Sequence, residues 1–390
     1  MIDHIYLDYA ATTPLDPRVL NAILPYFSEK FGNPSSIHRY GQQAEAAVES
    51  ARQIVATELN CRPDEIVFTS CGSESDNLAL RGTALAMREK IGANWILASR
   101  AEHHAVSKTA VQLEEHYGFQ VEWLETDQFG TISAETVENA ICKETAIVSV
   151  MYANNEIGTI NPVSEIAAVC RRHNIPFHTD AVQAAAYLPF DVQVLNVDMM
   201  SLGAHKFYGP KGVGVLYVRK GTPIFPFQTG GGQEAGLRAG TQNVPYIVGF
   251  AEALRLTKEE RGQRIDNVRP LRDRLIGTIL EEIPGSRLTG HPVDRLPNNC
   301  SFAFKGVDGN LLLTLLDAAG FACSSGSACK TGNPEPSEVM TAIGLSREWG
   351  LGSLRVTLGF GTTPAHIDAF LKVIPGIVQQ ARILTRENQG

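Results

Sequence analysis

From residue 65 onward, short apolar runs alternate with stretches whose apolar positions recur every three or four residues. The runs are EIVFTS (65–70), WILAS (95–99), AIVSVM (146–151), IPFHTDA (175–181), VDMMSL (197–202) and GVGVLYV (212–218). Their length and β-branched content predict strands. Helices are expected from near Ser73, from about 105 and near Pro162. Strand–helix alternation of this kind predicts an α/β domain around a mostly parallel sheet. Upstream, Ala44, Ala47, Val48, Ala51, Ile54, Val55 and Leu59 share one face of an amphipathic helix. A more charged helical stretch, about 243 to 283, leads to a second unit. There NNCSFAF reads as a strand and a helix begins after Asp308. That helix carries Leu311, Leu312, Leu315 and Leu316 on one face and stops at Gly320. SLRVTLGF (353–360) is a further strand, and Pro364 opens the last helix. The expected organisation is a large α/β domain over 16–260 and a smaller α+β domain formed by 1–15 and 261–390.

Composition narrows the function classes. The chain has 390 residues, 44% hydrophobic and 19% charged, enough for two cores in a globular protein. A net charge of −8 argues against a nucleic-acid backbone binder. No run approaches the length of a membrane span. The opening MIDHIYLDYAATTP lacks the basic start and apolar block of a signal peptide, so a cytoplasmic location is expected. The seven cysteines (61, 71, 142, 170, 300, 323 and 329) are odd in number and irregular in spacing, which fits a reducing compartment better than a disulfide framework. Only Cys323 and Cys329 approach a metal-ligand spacing and no second pair answers them, so no metal is expected.

In open α/β sheets ligands collect at the carboxyl ends of strands. After EIVF comes TSCGSESDN, either a phosphate cradle backed by a helix dipole or an ordinary capped turn. After WILAS comes EHHAV, where His103 and His104 are adjacent and at most one is expected to face a site. After AIVSVM, Asn154, Asn155 and Glu156 could orient a carboxylate or a ring hydroxyl. In HTDAVQ, Asp180 either caps a turn or holds a protonated ring nitrogen. His205 and Lys206 lie between two apolar strands. A lysine there is costly unless it is paired, chemically modified as a Schiff base, or able to snorkel past Tyr208. Together these groups make up the inventory that pyridoxal 5'-phosphate (PLP) requires of a protein.

The motifs FGNPSSIH (31–38), TSCGSESDN, EHHA, ANNEIG, HTDAVQ, HKFYGPKG, RAGTQN (238–243) and SSGSAC (324–329) resemble those of the PLP-dependent cysteine desulfurases of the NifS/IscS type, in the class V aminotransferase family. The resemblance runs from LDYAATTP to LRVTLGFGTT, nearly the whole chain. It implies PLP-dependent transferase fold type I, with the cofactor on the large domain and the catalytic cysteine loop on the small one. It makes Lys206 the Schiff-base lysine, with Asp180 on the ring nitrogen and Gln183 on the ring hydroxyl. His104 would stack on the ring and move protons. Gly72, Ser73 and His205 would hold the phosphate, joined by Thr241 from the second subunit of a homodimer. Asn33, Asn155 and Arg355 would bind the substrate carboxylate, Arg355 as a bidentate fork. Two departures stand out: Gly203 where the family commonly has a hydroxyl residue, and Cys71 where it usually has glycine.

Cys329 matches the family nucleophile, and Cys323 is expected to end a strand as a small buried residue. The Gly/Ser/Pro-rich stretch 324–337 cannot pack a core and is expected to be mobile. The implied reaction takes L-cysteine to L-alanine and leaves a persulfide on Cys329. Its sulfur would pass to an iron–sulfur scaffold or a sulfur-carrier protein, with tRNA thiolation a further outlet. Rival readings are a lyase acting on a related amino acid, an aminotransferase yielding a keto acid, and a non-catalytic relative.

Overall fold

A computed structural model describes residues 4–325 and 335–387. Among the described residues there are twelve strands. They are β1 (Ile5–Tyr6), β2 (Ile66–Thr69), β3 (Trp95–Ser99), β4 (Gln120–Leu124), β5 (Thr145–Ser149), β6 (Phe177–Asp180), β7 (Met199–Gly203), β8 (Gly214–Val218), β9 (Ser286–Leu288), β10 (Asn299–Phe304), β11 (Phe321–Ala322) and β12 (Ser353–Thr357). Seven of them form one sheet in the order β2-β8-β7-β6-β5-β3-β4. β3 to β7 run parallel, whereas β8 pairs antiparallel with both β2 and β7.

Helices cover both faces of this sheet, so β5, β6, β7 and β8 are buried at every position, and continuous apolar runs are what such strands need. β4 is different. It lies at the sheet edge, its QVEWL sequence mixes polar with apolar residues, and the pattern of long apolar runs did not predict it.

The amphipathic stretch around Ala44 is the helix Arg39–Leu59, with Ala44, Val48, Ala51, Val55 and Leu59 buried. Asn60 ends it in the left-handed region at φ 57°. The helix Val244–Glu282 runs unbroken for 39 residues through position 260, despite Pro270. Near its start Phe250 packs edge-to-face on Phe207 at 5.3 Å, and near its end Leu275 and Ile279 are buried with Phe302 and Phe304 of β10. One hydrophobic core is therefore continuous across the expected boundary.

The smaller part has a three-stranded sheet, β12-β10-β9, and a parallel pair, β1-β11. The N-terminal segment stitches the two parts together. Leu7 N–H donates to Ala322 O at 2.9 Å, while Thr13 N–H donates to His205 O at 3.0 Å. Among the described residues, no helix is long and apolar enough to cross a membrane.

Candidate active site

A cavity of about 260 Å³ opens where β2, β5, β6 and β7 end. On one side, β2 turns through Ser70 and Cys71 into the helix Gly72–Ile91, whose first residues Gly72 and Ser73 line the cavity. A helix start offers backbone N–H groups and the positive end of a dipole to an anion. Gly72 is required for close packing: a Cβ there would lie 2.6 Å from Val182 Cγ2. Cys71 sits at φ −174°, an extended conformation open to any residue, so a glycine's freedom is not needed at this turn. At Gly203 a Cβ would meet its nearest atoms at 3.5 Å, ordinary contact, so the backbone leaves room for the hydroxyl residue that is missing.

β6 delivers Asp180 to the floor. Its carboxyl accepts Val182 N–H at 2.9 Å, and burial pushes its pKa above the ordinary range, opposed by the neighbouring His103, by that hydrogen bond and by the Lys206 charge. Such a group favours a cationic partner. Gln183 lines the same wall and donates to Ala10 O at 2.8 Å. β7 delivers Lys206, whose Nζ donates to Ala10 O at 2.7 Å and Ala11 O at 2.8 Å. Burial, then the Arg355 charge, lower its pKa to about 8, against the opposing pull of Asp180 and Asp8. The neighbouring His205 is lowered to about 4 by burial, then by Lys206 and Lys211, so its imidazole is neutral at pH 7. Its Nδ1 lies 3.2 Å from Thr12 Oγ1.

Of the adjacent histidines, one faces the cavity, and it is His103. Its Nδ1 accepts Ala105 N–H at 3.1 Å, capping the helix His104–Tyr117, and its ring walls the open side. Burial lowers its pKa below the usual imidazole value. With Nδ1 occupied as an acceptor, Nε2 carries the proton of the neutral ring. The expectation placed on His104 is corrected: it is the first helical residue, its side chain is 61% exposed, and it lies 4.0 Å from Glu338. Backbone direction at the helix start turns it away from the cavity.

β12 supplies Arg355, which is almost fully buried. Its Nη2 donates to Asp8 Oδ1 at 2.8 Å and its Nη1 to Asn155 O at 2.9 Å; among the described residues its buried Nε–H has no partner. Asn155 also lines the cavity. Asn33 does not. It sits on an exposed turn and accepts Ser35 N–H at 3.0 Å, so within one chain the carboxylate role expected of it has no geometric basis. Thr241 likewise lies outside, in a separate hollow with Ser70 and Arg238. Cys329 lies outside the described residues. Cys323 follows β11, packs against the core, and has its thiol pushed up by burial.

Several site groups carried no signal strong enough to be singled out from sequence. Ala10 and Ala11 act through backbone carbonyls, which composition cannot reveal. Asp76, one turn into the Gly72–Ile91 helix, is fully buried, and burial followed by the Asp180 charge pushes its pKa far up. Among the described residues its Oδ1 has no hydrogen-bond partner, and it lies 3.6 Å from His178 Nε2. The ligand atoms of Asp76, His103 and Asp180 come within 4.8 Å of one another, a set able to hold a cation or a protonated ring nitrogen. The spacing of Gly72 and Asp76 on one helix face was the available clue.

The chain matches the family described as aminotransferase class-V over residues 5–370. It is 47% identical over 385 residues to a protein named cysteine desulfurase IscS from Clostridium botulinum, covering 98% of this chain and 96% of that one. It is also 47% identical, over 378 residues, to a cysteine desulfurase IscS from Methanosarcina thermophila, covering 97% and 93%. A solved NifS-like protein superposes with a TM-score of 0.89 at 37% identity, over 97% of this chain and 100% of that one. The solved structure titled SspA in complex with cysteine gives 0.79 at 37% identity, over 91% and 98%.

Proposed function

The chain belongs to the class-V aminotransferase family, and from that premise we propose how its residues divide the work of a PLP-dependent cysteine desulfurase. The observation that carries this reading is a partly buried amine, Lys206, sharing a cavity with the buried carboxyl of Asp180 and the fork of Arg355. The site fits the cofactor. Gly72 and Ser73 would offer helix N–H groups to its phosphate, Asp180 would hold its ring nitrogen, and Lys206 would offer an amine to its aldehyde. When bound, PLP supplies an electron-withdrawing ring that stabilises negative charge at the substrate Cα.

Arg355 receives the substrate carboxylate on its guanidinium at the cavity wall, with Asn155 beside it. Lys206, part of which is neutral near pH 7, moves the Cα proton. His103, neutral with a protonated Nε2, takes over the role first expected of His104 at the ring face and in proton transfer. The Cys329 thiolate attacks the sulfur of L-cysteine. A new S–S bond forms, the C–S bond breaks toward carbon, and protonation there yields L-alanine and a persulfide on Cys329. That sulfur then passes to an acceptor thiol on an iron–sulfur scaffold or sulfur carrier, with tRNA thiolation a further destination.

The working unit is a homodimer. Phe27, Phe31, Ile37 and Tyr40 are exposed apolar side chains on one stretch of chain, and Ile37 is 93% exposed. Thr241 lies outside its own cavity, where a second copy could use it, and the same holds for Asn33. The large unit 16–260 carries the cofactor, the small unit carries the cysteine segment, and the protein works in the cytoplasm.

Mass spectrometry after exposure to L-cysteine tests the mechanism. One added sulfur atom is expected on the Cys329 peptide, absent in Cys329→Ser. Undiminished alanine formation by Cys329→Ala would refute it.

A further inference from the structure

The segment bearing Thr241 is held in an unusual way. Glu234, Ala235 and Gly236 are three successive left-handed residues, at φ 50°, 53° and 82°, and two of them bear a Cβ. Such a conformation persists only where surrounding contacts enforce it. Here the enforcing group is the Glu234 carboxylate, whose side chain is 1% exposed. Its Oε2 accepts Arg52 Nη1 and Phe68 N–H, both at 2.8 Å. Its Oε1 accepts Arg52 Nη2 at 2.8 Å and Gln242 Nε2 at 2.7 Å. The donors come from the Arg39–Leu59 helix, from β2, and from the residue next to Thr241.

A second clamp runs in parallel. Arg238 Nε donates to Glu74 Oε1 at 2.8 Å, and the other oxygen of Glu74 accepts Ser70 N–H at 2.6 Å. Both clamps join the Thr241 segment to the β2 strand and turn that build the phosphate cradle of the same chain. A buried Arg–Glu pair by itself would be explained by packing. The bond to Gln242 and the enforced left-handed turn are not needed for that.

We propose that Glu234 is a positioning residue for the cofactor phosphate: through Gln242 it seats Thr241 for a second copy of the chain while fastening that seat to its own cradle. This rests on the reading of Thr241 as a phosphate donor across a dimer. Equilibrium titration of the full-length apo-protein with PLP measures both ideas. Thr241→Ala is expected to weaken PLP binding about tenfold, the scale of one lost hydrogen bond to a charged group. Gln242→Ala is expected to weaken it about threefold to tenfold, and the double variant no further than Thr241→Ala alone. Glu234→Gln should behave like Gln242→Ala; if it does not fold, Gln242→Ala decides.

Wild-type PLP affinity in Thr241→Ala would overturn the underlying reading of Thr241. Weakened Thr241→Ala beside an unaffected Gln242→Ala would overturn the role of Glu234. So would fully additive losses in the double variant, because they would show Gln242 acting independently of Thr241.

Discussion

The amine of Lys206 offers a quantitative test of the site. An ordinary lysine titrates at 10.5, and burial together with the Arg355 charge brings this one to about 8. At pH 7 the neutral, nucleophilic fraction is then about one in ten, against about one in three thousand for an ordinary lysine, a gain of about 300-fold. A brief pulse of fluorodinitrobenzene on the full-length apo-protein, followed by peptide mass spectrometry across pH 6–11, reads this fraction directly. Lys143, whose side chain is 90% exposed, serves as the internal reference. The Lys206 peptide should show a midpoint near 8. Arg355→Met should move it upward, by removing the largest electrostatic depressor, and Asp180→Asn downward, by removing an opposing charge. A Lys206 midpoint indistinguishable from that of Lys143 would refute the argument that burial and Arg355 prepare the amine.

His103→Ala should lower kcat by about 10²–10⁴-fold, the usual worth of a positioned acid–base group, whereas His104→Ala should stay within about twofold. Equal losses in the two variants would reverse that assignment. Gly72→Ala should weaken PLP binding, because its Cβ would press on Val182 at 2.6 Å and displace the cradle; an unchanged PLP titration would count against this. Burial raises the Glu156 pKa from 4.5 to about 7, so between those values the folded protein holds a proton that the unfolded chain has lost. Stability should therefore fall as pH rises through this window, by up to about 3 kcal/mol, and Glu156→Gln should flatten that slope in urea melts at pH 5, 6 and 8. Parallel slopes for the two proteins would exclude the effect.

Long buried strands were legible because helices on both faces demand unbroken apolar runs, as in β5 and β8. β4 was not, since an edge strand need not be apolar throughout. Gly72, Ser73, Asn155, Asp180, Gln183, His205, Lys206 and Arg355 do meet at one cavity, because each except Arg355 follows a strand of the large sheet and that rule can be applied from sequence. Which of two adjacent histidines faces inward could not be read that way. It depends on the residue at which the chain turns from extended to helical, here between His103 and His104. The contributions of Asp8, Ala10 and Ala11 were hidden for another reason. They arise from a long-range return of the N-terminus, and two of the three act through main-chain oxygen.

That N-terminal return has a consequence for biosynthesis. Residues Ile5 and Tyr6 find their strand partners at Phe321 and Ala322, and Asp8 finds Arg355, all near the far end of the chain. A ribosome translating this message releases the N-terminal wall of the pocket first and its mates last. The wall that seats Lys206 can meet His205 and Lys206 once the middle of the chain is made, but it waits for its strand partner and for Arg355 until elongation is nearly over. Completion of the pocket by Arg355 is thereby deferred until translation is nearly finished, and polypeptides terminated before that residue lack a completed pocket.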